Sequence, residues 1–471
     1  MSKFNRDNLY KTIYYLKKNG LKNTLYAVAE RIQKKDTDSY TYEEPSQKVL
    51  EKQREKKWEE PVCFSILVPL YHTPEKYFRA MTESVLAQTY PYFQLILLDA
   101  SEEVDQAVVS EEGIYTETTN TLDMLVADYQ DDRICYHKLA ENKGIAENTN
   151  AGLPYVTGDY IALLDHDDIL TADALYEFAL AIEEGKKQGV EFQMLYSDED
   201  KCDGDGTMFY EPHFKLDFNM DLLMTNNYIC HFTAVKADVF RELLLRGEYN
   251  GAQDFDLVLR VAGKFMDKPQ VIYHVPKVLY HWRCHRNSTA ANPASKTYAY
   301  EAGKRAVEDF VSERGWKATV RHLKHLGFYR VEYEGEEGAI FEQRPTVGAL
   351  GGSLLGAKGK IVGGLRTTDG TPVYEGLPHR FSGYMNRATL VQQAEVLDIR
   401  CIRVNPLCRE ILEKCLREFG ISRTEYEPLH VPDEDAVIRE VSVRLSEAIK
   451  DAGYVLVWDP QWKKHDKEIS D

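Results

Sequence analysis

The sequence is defined first by what it lacks. No stretch approaches the roughly 18 uncharged apolar residues needed to cross a bilayer. The opening Met1-Ser2-Lys3-Phe4-Asn5 leads into charged helix rather than the apolar core of a secretion signal, so secretion is not expected. Cysteine is scarce, eight in 471 residues with no CxxC pair. That excludes a disulfide framework and a zinc ribbon and fits a reducing compartment, most simply the cytosol. Cys401, Cys408 and Cys415 are evenly spaced, and buried thiols account for them better than metal ligands. Basic residues are outnumbered 58 to 76, and a net charge of −18 argues against a general nucleic-acid binder. Phosphate-cradling loops are missing as well. No GxGxxG follows the first apolar run, and Gly348 to Lys360 lacks both the glycine spacing and the hydroxyl residue of a Walker loop.

What is present is a long, core-rich chain. With 43% apolar and 28% charged residues, disorder is not the expected main state. The length suggests about three units. Residues 1–35 hold nine basic and two acidic side chains, a net +7 that leaves −25 for the remainder. Leu9, Tyr10, Ile13, Tyr14, Leu16, Leu21, Leu25, Tyr26 and Val28 are interleaved with the lysines. A basic helix with such a face suits an anionic membrane surface, and packing on its own domain is the equal alternative. Asn19-Gly20 is expected to divide it, and residues 36–60 read as a linker with some helix.

From Pro61 the texture changes to strands alternating with helices. Phe64-Ser65-Ile66-Leu67-Val68-Pro69 reads as a buried strand, followed by a helix opening at Thr73-Pro74-Glu75 with Thr73 as cap. Phe93 to Leu98 is a second strand, ending at Asp99. Further helices are expected at 118–130 and after Gly144, and further strands at Ile134–His137 and Tyr160–Leu164. This alternation predicts a mainly parallel sheet covered on both faces. Ligands bind such sheets beyond the carboxyl ends of the strands, where Asp99 and Asp165-His166-Asp167-Asp168 both fall. Carboxylates crowded behind a strand repel one another unless a cation lies between them, and alternate Asp165 and Asp167 offer the hard oxygens that suit Mg2+ or Mn2+. Capping of a following helix by Asp167 or Asp168 is the competing explanation.

These segments resemble the family 2 glycosyltransferases in order and spacing as well as content. The resemblance runs through Phe64–Pro69, Asp99-Ala100-Ser101, Glu141-Asn142-Lys143-Gly144-Ile145-Ala146 and Gly158–Asp168. It continues through Tyr196-Ser197-Asp198-Glu199-Asp200, Asn227-Tyr228-Ile229-Cys230-His231, Gly251-Ala252-Gln253-Asp254-Phe255-Asp256 and Tyr280-His281-Trp282-Arg283-Cys284-His285. It spans about residues 62–292 and points to the surface-polysaccharide, rhamnosyltransferase-like subgroup.

The resemblance implies a GT-A fold of α/β class with a Rossmann-like, mainly parallel sheet, a nucleotide-sugar donor, and a glycan or lipid-linked saccharide as acceptor. It puts the nucleobase at Pro69, Tyr71 and Asp99, and the ribose side at Asn142 and Gly144. Asp165 and Asp167 become the ligands of Mg2+ or Mn2+. His285 completes that site, with His281 as rival. Arg283 and Trp282 close over diphosphate or acceptor, and Asp254 is the general base of an inverting displacement. Without the family pattern, Asp254 reads as a helix cap and His281 and His285 as structural histidines, and Asp198, Glu199 and Asp200 read equally as lining of the acceptor site or as an acidic turn in solvent.

Three domains follow: a basic helical segment and linker over 1–60, the catalytic domain over 61–330, and a smaller α/β module over 331–471. The last looks like the later half of a second such domain without its donor-binding half, and is expected to be catalytically inert. The expected location is the cytoplasm, at the inner membrane face. An inactive homologue acting as a scaffold in polysaccharide assembly is the principal alternative. A nucleotidyltransferase is disfavoured because Leu70-Tyr71-His72-Thr73 is not a basic, glycine-rich phosphate loop.

Overall fold

A computed structural model describes residues 40–102, 106–110, 113–117, 122–284, 297–336, 338–421 and 435–465. The basic segment 1–35 and His285 lie outside the described residues. Strand formation follows the apolar runs: β1 (Phe64–Leu70), β2 (Phe93–Asp99), β3 (Gln106–Ser110), β4 (Gly113–Glu117), β5 (Ile134–Lys138), β6 (Tyr160–Leu163), β7 (Ile169–Leu170), β8 (Met194–Cys202), β9 (Phe209–His213), β10 (Thr233–Lys236) and β11 (Ile272–Arg283). Nine of these form one sheet in the order β5-β2-β1-β6-β10-β8-β11-β7, with β9 on β8. The α/β expectation is met. Its parallel character holds for β5-β2-β1-β6 and for β8 with β11, but β10 enters antiparallel between β6 and β8, so the sheet is mixed.

Packing explains the pattern. Phe64, Ile66, Leu67, Val68 and Leu70 of β1 are fully buried, so the strand is covered on both faces. The helix Glu75–Leu86 lays Phe78, Met81, Thr82 and Val85 on the sheet at helical spacing. Thr73 does not cap that helix; its Oγ1 lies 2.9 Å from His166 Nδ1 instead. The other face is covered by the helix Gln253–Lys264, which buries Phe255, Leu257, Val258, Val261 and Ala262.

The stretch expected as a linker is packed from residue 40 onward. Tyr40 donates to Asp200 Oδ2 at 2.7 Å, Tyr42 stacks edge-on against His281, and the helix Gln47–Glu55 buries Leu50 and Gln53. The expected boundary at 330/331 falls inside β13 (Tyr329–Tyr333), the partner of β12 (Ala318–His322). Tyr329 also packs in the core beside Phe255, so this hairpin belongs to the larger body. Beyond it, a five-stranded sheet is built on the parallel pair Val347–Leu355 and Val455–His465 and backed by the helices Arg409–Glu418 and Asp435–Asp451. Among the described residues no helix is long and apolar enough to cross a membrane.

Candidate active site

The carboxyl ends of β1, β2 and β6 lie side by side because the three strands are parallel neighbours in register. Asp99 closes β2 and is buried. Burial alone would raise its pKa, but Lys138 Nζ at 2.8 Å, the Ser101 amide at 2.9 Å and the Tyr136 hydroxyl at 2.7 Å hold it below the usual carboxylate range. Pro69 pairs with Leu98 across the strands, and Tyr71 stands exposed just beyond. Asn142 Oδ1 accepts from the Gly144 amide at 3.0 Å and from Asn148 at 2.8 Å, which shapes the turn into the helix Ile145–Asn150. Gly144 sits at φ +89, and a Cβ there would strike the Asn250 amide that bonds the Ala146 N–H. Gly144→Ala is therefore expected to destabilise by about 1–3 kcal/mol, measured by denaturant melts.

The acid turn follows β6. Its residues divide by environment rather than acting as four equals. Asp168 is fully buried; burial, then the charges of Asp167 and Asp165, push its pKa well above the ordinary value. It accepts from the Tyr280 hydroxyl and, at 2.7 Å, from the Arg283 amide. The capping explanation fails, because Ile169–Leu170 is a strand and the next helix starts at Ala174. Asp165 and Asp167 are only partly covered. Arg283 was expected over a ligand, but its side chain is 1% exposed and directed inward. Its Nε donates to the Asp167 carbonyl at 2.6 Å and its Nη1 to the Gly204 carbonyl at 3.1 Å, over the Tyr77 ring. This guanidinium holds the turn from behind.

Asp254 lies in the first turn of Gln253–Lys264, two residues past the cap position, and its Oδ2 accepts from Asn227 Nδ2 at 2.7 Å. Burial raises its pKa above the ordinary carboxylate value, with the Asp165 charge adding to the rise and His231 opposing it. Asn227 also binds the Cys230 amide at 3.2 Å, and Cys230 adopts the left-handed φ of +42. That turn aims His231 between the two acidic elements. Its Nε2 is 3.8 Å from Asp165 Oδ2, and its Nδ1 is 3.1 Å from Glu199 Oε2. Glu199 is buried with Lys215 and His213 as further partners.

The model of the glycosyl transferase family 2 matches residues 65–244, from within β1 to the end of the helix Ala237–Leu243 that follows β10. Residues 65–244 form a family 2 glycosyltransferase domain. Over 257 residues the chain is 35% identical to the uncharacterized protein y4gI of Sinorhizobium fredii, covering 54% of this chain and 26% of that one. Over 271 residues it is 30% identical to the O-antigen biosynthesis protein RfbC of Myxococcus xanthus, covering 57% and 19%. The chain thus spans about a quarter or less of either relative. The S. aureus TarS 1–349 structure in complex with UDP-GlcNAc shares 17% identity over 53% of this chain and 66% of that chain, with a TM-score of 0.39.

Within the glycosyltransferase domain, the structure joins Asp165, His231 and Glu199, and brings in Asp254 from just beyond the matched span. Asp99 and the Asn142–Gly144 turn are separate stations on the same pole. His281 is buried, with Nδ1 2.5 Å from Asp200 and rings of Tyr42 and Phe209 against it, which makes it structural. Asp198, Glu199 and Asp200 are not an acidic turn in solvent; all three are buried on β8. Sequence reasoning gave no role to His231 and read Glu199 only as part of an acidic stretch lining the acceptor site or standing in solvent. The available signal was a polar Asn227 and a Cys-His pair bracketing the buried Tyr228 and Ile229, immediately before a strand.

Proposed function

We propose that this domain is an inverting transferase that moves a sugar from a nucleotide-sugar donor to a glycan or lipid-linked saccharide acceptor in surface-polysaccharide synthesis. The supporting observation is that the partly exposed Asp165, beyond the carboxyl end of a parallel strand, and the partly covered, Asn227-held Asp254 act electrostatically on one another, with His231 facing Asp165. The donor set fits a hard divalent cation: two partly exposed carboxylates on a turn whose backbone is fixed by Arg283 and Asp168. Asp165 and Asp167 would hold Mg2+ or Mn2+, which when bound supplies Lewis-acid stabilisation of the departing diphosphate.

The remaining work falls to side chains of the chain itself. Pro69, Tyr71 and Asp99 receive the nucleobase, and Asn142 and Gly144 the ribose side. Asp254 takes the proton from the acceptor hydroxyl as that oxygen attacks the anomeric carbon. A pKa raised towards neutrality makes it a stronger base while Asn227 keeps the needed oxygen aimed. Arg283 maintains the Asp167 backbone in place. Among the described residues, the module beyond β13 contributes no such set and is assigned a supporting role.

A thermal-shift screen of UDP, GDP and dTDP tests the reading. One of them is expected to raise the melting midpoint with Mn2+ and not without it; no response to any would reject the donor site and leave the scaffold alternative. Residues 1–35 are proposed to touch anionic membrane at the cytoplasmic face. Deleting them is expected to weaken sedimentation with anionic vesicles, more at low salt than at high salt. Unchanged binding would assign the segment to packing.

A further inference from the structure

We propose that His231 supplies an imidazole nitrogen to the cation held by Asp165, so that the site takes Mn2+ in preference to Mg2+. This rests on the donor-site reading above and names a ligand the sequence pattern did not supply. Two donor atoms each about 2.1 Å from an ion lie roughly 3 Å apart at right angles and about 4.2 Å apart when opposed. His231 Nε2 and Asp165 Oδ2, 3.8 Å apart, fall inside that interval, and closing to the right-angle arrangement takes a shift of about 0.8 Å, within reach of the partly exposed Asp165 side chain.

The ring is already committed to this orientation. Glu199 Oε2 binds both Nδ1, at 3.1 Å, and the His231 backbone N–H, at 3.2 Å, which leaves Nε2 to face Asp165, with the Cys230 thiol 3.5 Å from the same nitrogen as its weak partner. Tyr280 stacks on the imidazole at 4.6 Å with 10° between planes, and the same tyrosine binds Asp168. One residue therefore sets the ring and the acid turn together. Glu199 is not itself the cation ligand. Its charge is already met by the buried Lys215 ammonium at 3.4 Å, with His213 at 3.4 Å on the other oxygen. A carboxylate behind the distal nitrogen of a ligating histidine is the usual outer support of a metal site.

The choice of ion follows from the donor. Mg2+ is bound through oxygen and water, whereas an imidazole nitrogen is better matched to transition metals. A mixed nitrogen and oxygen set favours Mn2+ over Mg2+.

The test uses the full chain with Mn2+ and inorganic pyrophosphate, a probe that contains no nitrogen. Electron spin-echo modulation is expected to show directly coordinated nitrogen in the wild type and in His285→Asn, and to lose it in His231→Asn. In competition titrations the Mn2+ preference over Mg2+ is expected to fall about tenfold or more in His231→Asn. Bound Mn2+ without nitrogen modulation in the wild type would overturn the assignment while leaving the donor site intact, and needs no variant. Modulation that survives His231→Asn and vanishes in His285→Asn would overturn it equally. Mn2+ that fails to bind at all would remove both this assignment and the donor-site reading.

Discussion

Asp254→Asn is expected to lower sugar transfer by roughly 10²–10⁴-fold while nucleoside diphosphate affinity changes less than about twofold. The asymmetry follows from geometry. Asp254 is on the helix Gln253–Lys264 and is held through Asn227, whereas the residues proposed to receive the nucleotide are on the ends of β1 and β2 and the turn after β5. The amide preserves volume and can still meet Asn227, so what is removed is the capacity to accept a proton. Activity has a matching pH signature. Burial raises the Asp254 pKa, so the base is lost as pH falls through a value above the ordinary carboxylate range. Asn227 stabilises the charged form, and Asn227→Leu is expected to move the acid limb of the rate profile to still higher pH. Turnover unchanged in Asp254→Asn would remove the base assignment; an acid limb that stays put in Asn227→Leu would show that another group controls it.

How much of this was readable in advance depends on the kind of information each feature carries. Phe64 to Leu70 declares itself, since an unbroken apolar run behind a turn is what a strand buried on both faces requires. The acid turn is equally visible, because four ionisable groups directly after a core strand have no packing rationale. Which of them faces outward was not visible. Asp168 is turned inward by Tyr280 and the Arg283 amide, 112 and 115 residues away, and no local pattern reports a contact at that separation. Arg283 itself shows the limit most plainly: the family resemblance put it over diphosphate or acceptor, yet the pairing of β11 with β8 and β7 turns it under the turn. The antiparallel insertion of β10 is likewise set by long-range pairing. His231 was in view as part of a motif, but its role depends on Glu199 and Lys215 arriving from β8 and from the segment after β9.

Breaking the Arg344–Asp221 pair, as Asp221→Asn or Arg344→Met, is expected to destabilise the chain by about 3–5 kcal/mol. Both side chains are buried, at 5% and 2% exposure, and meet as a forked pair with one contact of 2.9 Å, backed by the Tyr333 hydroxyl and the Trp316 ring. Removing one partner strands a charge with no water to receive it. Asp221→Leu with Arg344→Met is expected to recover most of the loss, since replacing both charges with apolar groups removes the stranded charge. A single-variant loss below about 1 kcal/mol in urea unfolding would mean that water reaches the pair.

The consequence extends to the site. The pair is one of several links between the larger body and the later module, among them the Arg330–Asp459 ion pair at 2.7 Å. In another, Asn219 and the Gln393 backbone exchange hydrogen bonds at 3.0 and 2.9 Å. In a further one, Tyr384 donates to the Pro212 carbonyl and accepts from the Phe214 amide, while Arg387 binds the Phe214 carbonyl. Phe214 precedes Lys215, the buried ammonium that neutralises Glu199 and thereby sets His231. Loosening the module should therefore lower transfer before it unfolds the transferase body, and the single variants are expected to lose activity in urea concentrations where their near-ultraviolet spectra are still native. Coincident loss of spectrum and activity would mean that the two bodies unfold as one unit and that the module acts on the site only through global stability.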